Sequence, residues 1–293
     1  MRDATPIPRI RPPAVAGLFY PQDPQALRAV VDDCLVQAVR PDRVLNATGG
    51  ALPVRASQPK ALIAPHAGYV YSGPVAASAY SALRDAAHGI DRVVLIGPSH
   101  FVRFSGLAVS QADGFETPLG AVPIDEAARR EVLRVPHVVA ADAPHAHEHS
   151  LEVQLPFLQV VLGEFRVLPI AAGDAPVRDV AAALESVWGD EDTLIVVSSD
   201  LSHYLTYAAA RRVDAATTRA ILDRSTGLDG EQACGYVGIN GLMQVARDRG
   251  LEVRRLDLRN SGDTAGERSR VVGYGAFALD ETHVRPGGAA SGA

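Results

Sequence analysis

The chain has few cysteines, almost no lysine and no long apolar run, and each shortage excludes something. Its two cysteines, Cys34 and Cys234, stand far apart in 293 residues, offer no disulfide framework and suit a reducing compartment. No segment approaches the length that spans a bilayer, and the amino-terminal MRDATPIPRIRPPAVAG lacks the continuous apolar core of a secretory signal. A cytoplasmic protein without a membrane partner is therefore expected. Positive charge is also scarce, because the formal net charge is -6, which argues against the basic face that nucleic acid requires. Lys60 is the only lysine among 28 lysines and arginines, a bias that codon usage in a GC-rich genome explains without any arginine-specific role. The chain shows no internal repeat and no linker, so one domain is expected.

Hydrophobic residues make up 47% of the chain, enough for a packed core. Residues 1–11, rich in proline and arginine, read as an extended amino-terminal arm. Residues 12–280 form the single domain, and 281–293 have too little apolar content to order themselves. Leu27, Val30, Val31, Cys34 and Leu35 share one helical stripe within 26–39, which makes Cys34 a core residue. Residues 40–59 are polar, with glycine and proline signals, and read as a loop. Beyond it, short apolar runs at 61–64, 92–96, 166–170 and 193–197 alternate with helical segments at 75–85, 126–133, 151–162, 177–187 and 208–222. That alternation predicts an α/β fold with a central, mostly parallel or mixed sheet and helices on both faces. Residues 114–125 read as a hairpin or lid, 236–249 as a helix, and 251–258 and 271–279 as closing strands.

Three of the apolar runs end in a histidine. APHAGY follows the first, GPSH the second and SSDLSH another, placing His66, His100 and His203 just past strand ends. In a parallel sheet those ends share one edge, where open α/β folds bind their ligands. Imidazoles gathered there can ligate a metal or move a proton near neutral pH. Ser199 or Asp200 reads as a helix cap, which puts His203 in a first helical turn and favours its neutral, basic form. Cys234 precedes an expected helix start, where amide dipoles favour thiolate, although a buried inert thiol is the commoner fate. In HAHEHS, His145 and His147 read as a solvated loop or an adventitious metal binder. His149 abuts LEVQLPFL and reads as a hydrogen-bond donor to substrate or a second proton carrier.

Taken together, AVAGLFYP, APHAGYVYSG, GPSH, the FETPLG run, EHSLEVQLPFL, SSDLSHY, the CG at Cys234, NSGDTAG and VVGYGAFAL resemble the Memo family over nearly the whole chain. Bacterial and archaeal members are often labelled AmmeMemoRadiSam system protein B. The resemblance implies a fold similar to class III extradiol dioxygenases of the LigB type, non-haem iron(II) enzymes that open catechol rings. Carried over, it makes His66 and His100 metal ligands, Cys234 the residue at the third ligand place and His203 the counterpart of the catalytic base. Those dioxygenases use a carboxylate at the third place. Cysteine is softer and shifts preference toward zinc or copper(I), or tunes iron differently. Asp200 is a candidate for the missing carboxylate.

The reading that follows is a mononuclear metal site, with iron(II) expected and copper or zinc as alternatives, serving a metal-dependent redox enzyme. His203 would remove a substrate proton while Asp200 and His149 orient the ring or the oxygen. The substrate is an unidentified small molecule or peptide, and AMMECR-type and radical SAM proteins are the pathway partners that the resemblance implies. Two other readings stand beside it: a peptide- or partner-binding protein with a vestigial site, and a zinc-dependent hydrolase.

Overall fold

Four apolar runs with residues buried toward both faces build the middle of the sheet in the computed structural model, which describes residues 8–38, 58–83 and 89–281. Most of the expected arm (1–7), most of the polar loop (39–57), the end of the helix expected to reach Asp85, and the tail from 282 lie outside the described residues. The strands are β1 (Ile10–Arg11), β2 (Ala61–Ala64), β3 (Arg92–Pro98), β4 (Leu107–Val109), β5 (Gly114–Thr117), β6 (Gly120–Pro123), β7 (Val138–Ala140), β8 (Arg166–Ala172), β9 (Thr193–Ser198), β10 (His203–Leu205), β11 (Glu252–Asn260) and β12 (Val271–Asp280). The helices are α1 (Pro24–Gln37), α2 (Tyr69–Tyr80), α3 (Glu126–Val132), α4 (Ala143–Ala146), α5 (Leu155–Leu162), α6 (Val177–Ser186), α7 (Tyr207–Leu222) and α8 (Tyr236–Arg249).

The main sheet runs β10-β12-β2-β9-β3-β8-β4-β7, with β11 paired to β12. Strands β2, β9, β3 and β8 are parallel, whereas β12 joins β2 and β4 joins β8 antiparallel, so the sheet is mixed. The hairpin of β5 and β6 forms a second, three-stranded sheet with β1.

Side-chain alternation divides the core in two. Leu62, Val93, Leu95, Val167, Leu194 and Val196 pack with α1, α2 and α5, while Ile63, Val94, Ile96, Leu168, Ile195 and Val197 pack with α3, α6 and α8. A strand covered on both faces must be apolar at every position, which is why these runs do not alternate with polar residues. Each such fully buried side chain contributes about 1.5–3 kcal/mol. Cys34 lies in the first of these clusters. The lone lysine is structural: Lys60 Nζ donates to the carbonyls of Asp190 and Thr193 at 2.6 and 2.8 Å and lies over the Trp188 ring.

Two local expectations fail. Helix α2 begins at Tyr69 rather than near Val75. Pro74 removes one helical donor near its amino end, and the buried faces of Tyr69, Val75 and Ala79 outweigh that loss. His203 sits in no helical turn; it opens β10, antiparallel to β12 with Val272 opposite. The Gly273 amide donates to the Ser202 carbonyl at 2.8 Å, and this ladder holds the segment extended until Thr206 caps α7. Among the described residues no helix is long and apolar enough to cross a membrane.

Candidate metal centre

Register aligns the ends of the central strands, with Ala64 opposite Ser198 and Ile96 opposite Val197. The loops leaving β2, β3 and β9 therefore start from one edge. Pro65 directly follows β2 and Pro98 is the last residue of β3, places where proline's missing donor costs the ladder little. His66 follows Pro65 directly, and His100 follows Pro98 by two positions.

His66 is 1% exposed, and its partners fix its tautomer. Ser198 Oγ donates to the Ser150 carbonyl at 2.6 Å and accepts from Gln154 Nε2 at 2.8 Å, so its 2.8 Å contact with His66 Nδ1 requires that nitrogen to donate. Nε2 then carries the lone pair. Gln154 is itself held by Tyr80 Oη, which donates to its Oε1 at 2.8 Å. Burial, followed by the neighbouring His149, His100 and His203, holds the His66 pKa well below its ordinary value.

His100 is anchored to Glu148. Its backbone N–H donates to Oε2 at 2.6 Å and its Nδ1 lies 2.9 Å from Oε1. Burial alone would raise the Glu148 carboxyl, but the hydrogen bonds from the His100 ring and backbone and from the Ser150 amide prevail and bring it to about 2. His149 Nδ1 lies 3.4 Å from the same Oε1. The His149 ring stacks on His100 with centroids 4.8 Å apart and packs against Phe19 at 4.7 Å. Burial lowers the His149 pKa as well.

One ligand nitrogen from each of His66, His100 and His149 lies within 4.8 Å of the others. Neutral imidazoles whose other nitrogen is hydrogen-bonded are the form that binds metal, so the donors fit a cation of the zinc, copper or iron class. Cys234 Sγ stands 3.3 Å from His66 Nε2. The helix start does not make it a thiolate; burial and then the Asp200 charge push the thiol up, and it remains protonated until something displaces the proton.

Asp200 is 4% exposed and caps no helix. Its carboxylate accepts from the His66 N–H at 2.8 Å and from the Ala67 amide, fixing the turn that carries His66, while burial raises its pKa to about 7. Burial chiefly lowers the His203 pKa, against a hydrogen bond to the Leu201 carbonyl. Tyr204 beside it has φ of 60°, a costly value for a bulky residue.

Thus His66, His100 and His149 come together, Cys234 touches His66, and Asp200 holds the His66 backbone. His145 belongs elsewhere: it is 1% exposed, with Nε2 3.1 Å from the Ala108 carbonyl, and is a core residue rather than part of a solvated loop. Sequence reasoning passed over Glu148, Ser198 and Gln154. Of these only Glu148, set between the histidines of HAHEHS, carried a signal.

Comparison with known proteins agrees with the motifs. A family model described as Memo-like protein matches residues 11–278. A MEMO1 family protein of Aquifex aeolicus is 36% identical over 285 residues, covering 91% of this chain and 97% of its own. The Aeropyrum pernix MEMO1 family protein is 37% identical, covering 92% and 99%. A solved structure of an uncharacterized Escherichia coli K12 protein superimposes with a TM-score of 0.44 at 11% identity over 73% of this chain and 98% of that one, a likeness too slight to argue from.

Proposed function

The chain belongs to the Memo family, and on that premise we propose that its crevice holds one metal ion through His66 and His100, flanked by Cys234 and His149, and serves a metal-dependent redox enzyme. The observation that carries this reading is the convergence of three imidazole nitrogens within 4.8 Å, two of them just past the ends of parallel strands. When bound, the metal supplies Lewis acidity toward a substrate oxygen and, as iron(II), the electron chemistry that oxygen requires.

The protein's own groups have separate tasks. His66 and His100 present lone pairs at Nε2 because Ser198 and Glu148 occupy their Nδ1 atoms. Asp200 holds the His66 turn by two backbone amides. His203, lowered by burial and tied at one ring nitrogen to the Leu201 carbonyl, accepts a substrate proton on the other. The Phe19 and Phe101 rings, packed on His149 at 4.7 and 6.1 Å, shield the cluster from water on that side.

The test is oxygen uptake by protein reconstituted anaerobically with iron(II) and offered a panel of catechols. Turnover by the wild type that disappears in His203→Ala is expected. No turnover above the His203→Ala background by the wild type counts against the enzyme reading.

A second reading, capture of a peptide or partner without turnover, has one observation in its favour. Leu18, Val70, Tyr71, Phe101 and Tyr204, all close in sequence to site residues, are exposed large apolar side chains. Binding that survives both chelation and His203→Ala would favour it.

A further inference from the structure

Glu148 lies outside the donor set, yet more of the site's geometry passes through it than through any ligand. Its side chain is almost wholly buried, at 1% exposure. Oε2 accepts the His100 backbone N–H at 2.6 Å. Oε1 is hydrogen-bonded to His100 Nδ1 at 2.9 Å and to the Ser150 amide at 2.9 Å, and His149 Nδ1 stands 3.4 Å away as an ion-pair contact. No lysine or arginine pairs with this carboxylate among the described residues, so imidazole and amide N–H groups alone compensate its charge.

We infer that Glu148 is a positioning residue: one buried carboxylate holds His100 with Nδ1 protonated and Nε2 free while it stands against the stacked His149 ring, and so prepares one imidazole donor and seats the next. This rests on the metal-binding reading above and extends it to the group that sets ligand identity.

The backbone around Glu148 is built to keep that oxygen in place. Arg11 Nη2 donates to the Glu148 carbonyl at 2.6 Å and Arg11 Nε to the His145 carbonyl at 2.8 Å, fixing the turn from the amino-terminal side. Ser150 Oγ donates to the Pro98 carbonyl at 2.9 Å, joining the same turn to the end of β3. Gly97 leaves room for that junction, since a Cβ there would come 2.9 Å from Ser150 Oγ. A carboxylate needed only to cap the turn would use the His100 and Ser150 amides. Its hydrogen bond to the His100 ring nitrogen is what a purely structural role does not require. A carboxylate opposite a ligating histidine fixes the ring and strengthens its free nitrogen, and losing such a partner costs 10–100-fold in metal affinity. Glutamine is no substitute, because its amide nitrogen would set a donor against one of the donors that Glu148 accepts.

The experiment pairs nitrogen-15 NMR of the histidine rings in metal-free protein with cobalt(II) and zinc(II) titration of wild type and Glu148→Gln. Wild type should show Nδ1 protonated and Nε2 bare at His100. Glu148→Gln should bind each metal about 10–100-fold more weakly and lose the single tautomer at His100, while His66, held by Ser198, keeps its own. A wild-type His100 ring protonated at Nε2 would overturn the inference, as would a folded Glu148→Gln with an unchanged His100 tautomer. The wild-type spectrum decides even if the variant does not fold. It also decides if the wild type binds no metal, which would contradict the metal-binding reading and not the role of Glu148 in setting the His100 tautomer.

Discussion

The sulfur of Cys234 stands 3.3 Å from Nε2 of His66. With Nδ1 of that ring donating to Ser198, the thiol is the donor and Nε2 the acceptor, so a proton occupies the space between two candidate ligands. A cation binding to both must displace it. Zinc(II) titration followed by calorimetry in buffers of different ionisation enthalpy should therefore register about one proton released per ion by wild type. Cys234→Ala should release none.

Gly235 is a second constraint on that thiol. A Cβ at this position would lie 2.6 Å from the Ser198 carbonyl oxygen and 2.6 Å from Ser199 Cβ, too close for either to yield cheaply. Gly235→Ala should lower stability by about 1–3 kcal/mol and weaken metal binding by moving Cys234. Denaturant melts and zinc titration of the same preparation check both effects.

The amino-terminal segment is held by a buried carboxylate of its own. Glu152 is fully buried and accepts from Arg11, Tyr20 Oη and the amides of Ala14 and Val15. Glu152→Ala leaves the Arg11 guanidinium buried with its ion-pair partner gone, which should cost about 3–5 kcal/mol. Because Phe19 lies in this segment and packs on His149, the variant's loss of stability should come with a shift of the His149 ring resonances.

Stability should also depend on pH through Asp214. Burial raises this carboxyl to about 6 from 3.8, and no cation pairs with it among the described residues. The folded state thus holds a proton that the unfolded chain has released, and stability declines as pH rises from about 4 through about 6. The loss approaches roughly 3 kcal/mol at neutral pH. Asp214→Asn keeps an oxygen for the Ser202 amide, which Oδ1 accepts at 3.0 Å, and removes the charge. The variant should melt higher than wild type at pH 8 and show little difference at pH 4. Equal melting temperatures at both pH values would contradict this account.

What the sequence disclosed depended on where local pattern decided the outcome. Strands β2, β3 and β9 are buried on both faces, so their apolar runs stood out, and His66 and His100 at their ends could be read directly. Helix α8 was legible to the residue despite its glycines, although it is buried on every side from Gly238 to Met243. His203 was misplaced because β10 is only three residues long and exists by pairing with β12, which follows some seventy positions later. Asp200 looked like a cap because its local sequence suits one, while its true acceptor role is to His66, far back in the chain. The place of His149 and the role of Glu148 depend on the HAHEHS turn docking against the end of β3, a long-range contact that neither segment announces.

The measurement closest to the central claim is metal stoichiometry and ligand identity in purified, untagged protein loaded anaerobically with iron(II), read by elemental analysis and X-ray absorption. The account predicts one ion per chain, with imidazole nitrogen in its coordination shell, lost in both His66→Ala and His100→Ala. An absence of bound ion in wild type, or binding that both variants retain undiminished, would contradict it.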